Sequence, residues 1–376
     1  MSRKIIILTY DYPPNNGGIA RLCFEIKKEM ERRSMPVLVI ALADTNTDME
    51  NDKNVVRISG RRGFVEWKIL YYLRQNTSKD DIILTGTFHP DGLLGILSNR
   101  DTYMLAHGAE FLLGRSFFRR KVWGIYRKWV LKQAKMVIAN SHYTGNLVKS
   151  CSPDSKVVSI PLAVDIEYFH PTAPKRNDGF LHLCSISRLE KFKGHDFIIK
   201  TIASLPSEYK NRIRLRIGGK GAYKMELEDL VSQLNLSQIV FFDGFVADNQ
   251  LCDFYSSADI FILCTREESE NRNVEGFGLV FTEAQACGTA VIGTRTGGIP
   301  DAVVEGNGGW LIRQDSEEDL RALLIKLVDD SSIKIEEGQK ARERMENEMN
   351  WGRYMNDMLD VIFSQRRPLV DRKSVV

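Results

Sequence analysis

The sequence predicts an α/β protein of two doubly wound domains, each a largely parallel sheet with helices on both faces, and three observations predict it. Short apolar, β-branched runs recur along the chain, each followed by a turn signal and a helix-like segment. These runs are continuously apolar rather than alternating, as expected of strands covered on both faces. The chain has 376 residues, too many for one ordinary core and about right for two domains.

In the first half the strand-like runs are 4–9, 37–43, 81–86, 103–107 and 136–140. The pattern then breaks over 164–179 into a polar stretch that carries Pro171 and Pro174, suited to a linker. Beyond it the alternation restarts at 180–187, 213–218, 239–243, 259–264 and 290–293. The expected domains are therefore 1–168 and 178–350. Trp351, Tyr354, Met355, Met358, Leu359 and Ile362 recur at helical spacing. They predict a final helix over 351–366 that packs back on the first domain, followed by a flexible tail at 367–376.

Apolar residues make up 43% and charged residues 27% of the chain, with a formal charge of +3. That is a globular composition and too mild a charge to predict nucleic-acid binding. The six cysteines show no Cys-x-x-Cys pair and read as small core residues of a reducing compartment, with no metal site. The longest apolar run, 37–43, is far short of the roughly 20 residues that span a bilayer. A cytoplasmic protein is expected.

Two sheets of this kind are expected to face a central cleft at the carboxyl ends of their strands, where such folds bind ligands. The most specific pattern there is Glu275-Gly276-Phe277-Gly278-Leu279-Val280-Phe281-Thr282-Glu283, a Glu-x7-Glu in which a glycine loop opens a helix. One carboxylate can face a sugar and the other a ribose, and the helix start offers free N–H groups to a pyrophosphate. The same stretch also fits a loop followed by an ordinary amphipathic helix. Arg188 and Lys193, in the loop after the first strand of the second domain, are the candidate diphosphate clamps. Fixed cations favour the charge that grows on a departing phosphate. No Asp-x-Asp pair occurs in the sequence, so paired basic side chains would replace the usual metal clamp. Gly219, in a glycine turn after a strand, is a further place for phosphate or nucleoside, although the turn lacks the ending of a P-loop.

These residues resemble the retaining GT-B glycosyltransferases of glycosyltransferase family 4, and the resemblance covers nearly the whole chain. The family's Arg-Leu-x-x-x-Lys-Gly stretch is matched by Arg188, Leu189, Lys193 and Gly194, which implies that Arg188 and Lys193 hold the donor diphosphate. Its Glu-x7-Glu implies that Glu275 lies near the donor sugar and that Glu283 binds the ribose. Pro13-Pro14-Asn15-Asn16-Gly17-Gly18 resembles the glycine loop that approaches the donor phosphate and the acceptor. His107 in Ala106-His107-Gly108-Ala109-Glu110 is similar to the family's histidine that contacts the transferred sugar. The turn at Gly244-Phe245-Val246 is similar to the one that holds the nucleobase. Pro161-Leu162-Ala163-Val164-Asp165 departs from the commoner Pro-Asn-Gly-Val-Asp. The insertion 269–274 and the His107 segment look most like mannosyltransferase-type members that use GDP-mannose.

The resemblance implies Rossmann-like domains with the acceptor on the first and the nucleotide sugar on the second. It also implies transfer of a hexose from a GDP- or UDP-sugar to a glycan or lipid-linked acceptor, with no cofactor and no metal. Two rivals share the architecture: a nucleotide-sugar 2-epimerase and a non-catalytic partner subunit. The segment 115–135, from Arg115 to Lys135, holds eight basic and no acidic residues among aromatic ones. It reads either as a helix on an anionic membrane surface or as a domain helix whose cations snorkel outward. Members of the family that act on lipid-linked acceptors dock in the former way, so peripheral contact with the inner membrane face is expected.

Overall fold

The computed structural model describes residues 3–15, 17–43, 52–112, 117–176, 178–268 and 273–363, the side chains of 117–120 excepted. The first sheet contains β1 (Ile5–Thr9), β2 (Val37–Leu42), β3 (Val55–Ile58), β4 (Ile82–Thr85), β5 (Thr102–Ala106), β6 (Met136–Ala139) and β7 (Val157–Ser159). Its order is β3-β2-β1-β4-β5-β6-β7, all parallel. The second contains β8 (Leu181–Ile186), β9 (Ile213–Gly218), β10 (Val240–Gly244), β11 (Ile260–Leu263), β12 (Ala290–Thr294) and β13 (Gly309–Ile312). Its order is β10-β9-β8-β11-β12-β13, again all parallel. Strand order reverses between β1 and β4 in one sheet and between β8 and β11 in the other. Such a switch point opens a crevice at the carboxyl ends of the strands.

The apolar runs become central strands because both faces are covered. Ile6 and Leu8 of β1 pack with Val65, Ile69 and Leu73 of the helix Phe64–Asn76. Met104 and Ala106 of β5 pack with Val130 and Leu131 of the helix Phe117–Gln133. In the second sheet Ile260 and Ile262 share a core with Ile198 and Ile202 of one helix and with Leu320 and Leu324 of another. Three strands lie outside the sequence expectation, namely β3, β7 and β13, and each is a sheet edge. An edge strand needs less apolar surface: β3 carries Arg57, β7 has three half-buried residues and β13 opens on Gly309.

The chain divides into two units, residues 1–160 with 354–376 and residues 161–353. By internal contacts the division falls between Ile160 and Pro161. The polar stretch 164–179 is anchored in the second unit at three points. Val164 N–H donates to Met349 O at 2.8 Å, Phe169 is buried, and Lys175 Nζ reaches Ala258 O at 2.5 Å and Thr289 Oγ1 at 2.6 Å. The final helix is Trp351–Phe363. Its residues from Tyr354 onward belong to the first unit, where Tyr354, Met355 and Met358 are buried and Tyr103 Oη donates to Ile362 O at 3.0 Å. The expected tail at 367–376 lies outside the described residues. No helix among the described residues is long and apolar enough to cross a membrane. Cys23, Cys184, Cys264 and Cys287 are buried free thiols.

One glycine fixes the exits of the two strands at the second switch point. Gly194 has φ +77°, and a Cβ there would lie 1.9 Å from the carbonyl oxygen of Cys264, just beyond β11. Backbone cannot yield as a flexible side chain would, so Gly194→Ala should destabilise the second unit by on the order of 3 kcal/mol. Gly124→Ala, on the helix Phe117–Gln133 with nothing near its Cβ, should be neutral or stabilising. Thermal melts of the two variants read the difference.

Candidate functional site

The second unit gathers most of the residues singled out in the sequence at the exits of β8 to β11. Leu189 is buried, and its backbone is laced to the turn after β9: Leu189 N–H donates to Lys220 O at 2.9 Å and Tyr223 N–H to Leu189 O at 3.1 Å. With Leu189 pinned, Arg188 projects outward, its side chain 76% exposed, and meets Glu190 at 2.8 Å. Behind the loop, His195 is fully buried between Ser185 and Ser187, with Nε2 2.9 Å from Ser187 Oγ. Burial, aided by the Lys193 charge, pushes the imidazole down to about 4. It is therefore neutral and orders the loop through hydrogen bonds.

Lys193 closes the short turn Lys191–Lys193, and its Nζ lies 2.7 Å from Glu275 Oε2 with side chains only 12% and 20% exposed. The two sequence patterns, 82 residues apart, thus meet at one ion pair. Arg266, beyond β11, holds this turn from the side. Its N–H donates to Phe192 O at 2.6 Å, its Nη1 to Lys191 O at 3.0 Å, and its guanidinium bridges Asp196 and Asp315 at 2.8 and 2.7 Å. The Glu275 carbonyl is fixed by the Gly298 N–H at 2.8 Å, and a Cβ on Gly297 would stand 2.4 Å from the same oxygen.

Gly276 and the buried Phe277 lead into Gly278, whose φ of +95° caps the helix Leu279–Ala286. Leu279 is the first residue of that helix, and Glu283 lies one turn on. The Glu283 carboxylate accepts the hydroxyl of Tyr255 at 3.0 Å. Tyr255 is fully buried, and burial, reinforced by Glu283, holds its phenol well above 10, so it stays a donor. Val246 lies against Gly218, the residue before Gly219, where a Cβ on Gly218 would touch Val246 Cγ2. The Gly219 amide is taken, since it donates to Gly244 O at 2.6 Å, and a Cβ there would meet Ser187 O at 1.9 Å. Gly219 therefore packs loop against loop and does not present its N–H to a phosphate. Arg266, Tyr255, His195 and the Gly297–Gly298 turn escape the sequence reading. Only Arg266 leaves a visible signal, a lone cation at a strand exit.

In the first unit the expected residues again mark strand exits at and beside the switch point. A Cβ on Gly17, after β1, would stand 2.5 Å from Asp11 Oδ2, and Gly18 starts the helix Gly18–Arg32. His107 follows β5. Its Nε2 donates to Gly86 O at 2.7 Å, its N–H to Glu110 Oε1 at 2.6 Å, and Asn140 Nδ2 donates to its carbonyl at 3.2 Å. The carbonyl partner makes Nε2 a donor nitrogen and fixes the plane of the ring. Asn16, Arg115 and residues 269–272 of the insertion lie outside the described residues. In the helix Phe117–Gln133, Arg127 is buried and donates to Phe111 O at 2.9 Å, whereas Lys121, Val122, Ile125, Lys128 and Trp129 are exposed. Among the described residues no group of three or more His, Cys, Asp or Glu is placed to hold a metal ion.

Asp91, after β4, is 1% exposed and accepts the Thr87 hydroxyl at 3.1 Å. Burial raises its carboxyl from an ordinary 3.8 to about 7. The folded state therefore holds this proton more tightly than the unfolded chain, and the contribution favours folding below pH ~4 and fades as pH rises through ~7. Asp91→Asn should flatten that slope, so its melting temperature relative to the natural protein should be higher at pH 8 than at pH 5. A constant offset at both pH values would contradict the assignment.

Comparison with known proteins gives this geometry a family. The model of glycosyl transferases group 1 matches residues 169–349, and that of Glycosyltransferase Family 4 matches residues 16–168. A GDP-mannose-dependent monoacylated alpha-(1-6)-phosphatidylinositol monomannoside mannosyltransferase of Corynebacterium glutamicum is 31% identical over 97% of this chain and 99% of its own. The corresponding alpha-(1-6)-phosphatidylinositol monomannoside mannosyltransferase of Mycolicibacterium smegmatis is 25% identical over 82% of this chain and 85% of its own. Among solved structures, Anabaena HepE in complex with UDP superposes with a TM-score of 0.74 at 19% identity, covering 96% of this chain and 99% of its own. Sucrose-phosphate synthase from Thermosynechococcus elongatus gives 0.75 at 19% identity, covering 96% and 98%. With two Rossmann-like domains of the GT-B class and these relatives, the chain belongs to glycosyltransferase family 4.

Proposed function

We propose that this glycosyltransferase moves a hexose, mannose by preference, from a GDP- or UDP-sugar to a glycan or lipid-linked acceptor. It does so with retention of anomeric configuration and without a metal or cofactor. The observation that carries the reading is the Lys193–Glu275 pair at the switch point of the second unit, 2.7 Å long and beside a glycine-capped helix start. Arg188 and Lys193 supply positive charge where a nucleoside diphosphate leaves, and that charge is worth most in the transition state. A diphosphate that takes over Lys193 frees Glu275 to accept a hydroxyl of the donor sugar. Glu283, steadied by Tyr255, accepts the ribose hydroxyls. Gly17 and Gly18 leave room for phosphate, Val246 flanks the base, and His107 in the first unit addresses the transferred sugar through Nδ1. Mannose and a lipid-linked acceptor are supported by the names of the two mannosyltransferase relatives, and a UDP alternative by the UDP complex of HepE.

The exposed face of the helix Phe117–Gln133 supports a cytoplasmic protein that touches anionic membrane peripherally. Lys121 and Lys128 flank the apolar residues Val122, Ile125 and Trp129 there. Binding to vesicles containing anionic lipid should fall with rising salt and on Lys121→Glu/Lys128→Glu. Salt-independent binding that both changes leave intact would contradict this part.

The experiment for the reaction is thermal stabilisation by GDP-, UDP-, ADP- and CMP-sugars with and without EDTA, followed by product analysis. One nucleotide class should raise the melting temperature equally in both conditions, since a ligand bound only by the native state stabilises it. The linkage formed should keep the donor's anomeric configuration. No shift in folded protein would favour a non-catalytic partner, and conversion of donor without acceptor would favour an epimerase.

A further inference from the structure

The Arg188 side chain is fixed by little of its own. It is 76% exposed, and its ion-pair partner Glu190, 2.8 Å away, is 37% exposed, so the pair does little to hold the guanidinium. What is held is the backbone from which the arginine springs. The Arg188 carbonyl accepts two hydrogen bonds, one from the Glu190 N–H at 2.9 Å and one from the Ser187 hydroxyl at 2.9 Å. An arginine that pairs with a diphosphate gives up side-chain freedom on binding, and a backbone ordered beforehand keeps that cost from growing.

Behind that carbonyl each hydrogen bond has a definite direction. Ser187 Oγ has one proton and gives it to Arg188 O, so towards His195 Nε2, 2.9 Å away, it accepts. Nε2 therefore carries the ring proton. Burial, aided by the Lys193 charge, keeps the ring neutral, so Nδ1 is bare and accepts the Ser185 hydroxyl at 3.3 Å. Hydrogen bonds thus run from Ser185 through His195 and Ser187 to Arg188 O, each group donating to the next. Ser185 and His195 are fully buried at the inner end, and the outer end is the carbonyl of a residue whose side chain points to solvent. A space that only needed filling would take an apolar ring, since a buried imidazole is costly unless both nitrogens are bonded.

We infer that Ser187 and His195 are positioning residues for the donor diphosphate: they do not touch it, but set its affinity by holding the Arg188 carbonyl, and with it the origin of the Arg188 side chain. This inference rests on the reading of Arg188 as a diphosphate clamp. It gives the buried histidine a role beyond packing, because its effect on the ligand has to pass through one named side chain.

The test is a pair of double-mutant cycles on the full chain, read as calorimetric affinity for bare GDP and UDP. Ser187→Ala and His195→Phe should each weaken the diphosphate that binds by about fivefold in the natural background. In an Arg188→Ala background, where Lys193 still offers a cation, the same changes should alter affinity by less than about twofold. Ser187→Thr keeps the hydroxyl and should bind within about twofold of the natural protein. Melting temperatures identify folded variants, and if His195→Phe does not fold, the alanine and threonine changes at Ser187 decide alone. An undiminished loss in the Arg188→Ala background, no loss in Ser187→Ala, or an equal loss in Ser187→Thr would overturn the inference and leave the clamp standing. No binding of either diphosphate, or Arg188→Ala binding as tightly as the natural protein, would remove the clamp reading and the inference with it.

Discussion

The ion pair between Lys193 and Glu275 is the contact on which the second unit's site depends. Its members come from loops that follow β8 and β11, the strands between which the strand order reverses. With both side chains mostly buried, removal of one partner leaves a charge poorly solvated, which costs far more than the loss of an exposed pair. The surroundings are arranged to make the meeting happen. Gly194 lets the Lys193 turn press against the carbonyl of Cys264, Arg266 grips the turn by two backbone oxygens, and the Gly297–Gly298 turn fixes the Glu275 carbonyl. On the proposed reading, Lys193 is the cation that a donor diphosphate takes over from the Glu275 carboxylate.

That arrangement explains why some of the site is legible in the sequence and some is not. Arg188, Lys193, Glu275 and Glu283 stand out because charged side chains in glycine loops after apolar strands are chemically unusual. Their spacing alone does not say that Lys193 and Glu275 touch. Arg266 and Tyr255 act through contacts 70 and 28 residues away in the chain, and no local pattern encodes such a distance. Gly219 shows a packing role that its motif does not reveal. A glycine turn after a strand suggests a phosphate cradle, yet here the missing side chain serves the packing of two loops and the amide is spent on Gly244.

The fold follows the same logic. Central strands such as β1 and β12 are buried throughout and apolar up to a final threonine, and that is the pattern sequence reading detects. Edge strands β3, β7 and β13 are short and partly polar, so they fall below it. The supposed linker was judged by composition, whereas Phe169 and Lys175 belong to the second unit by burial and hydrogen bonding. In the first unit, the helix Phe117–Gln133 splits its basic segment between two faces: Arg127, Val130 and Leu131 face inward and Lys121, Lys128 and Trp129 face out.

The most direct measurement of the central claim compares nucleotide-sugar affinity with turnover in the Lys193→Ala and Glu275→Gln variants, using whichever donor stabilises the natural protein. If Lys193 holds the diphosphate and Glu275 the sugar, Lys193→Ala should weaken binding of the bare nucleoside diphosphate by about tenfold or more. Glu275→Gln should bind that diphosphate at least as well as the natural protein while its turnover falls by about a hundredfold or more. Equal diphosphate affinity in all three proteins, or turnover unharmed by Glu275→Gln, would contradict the account.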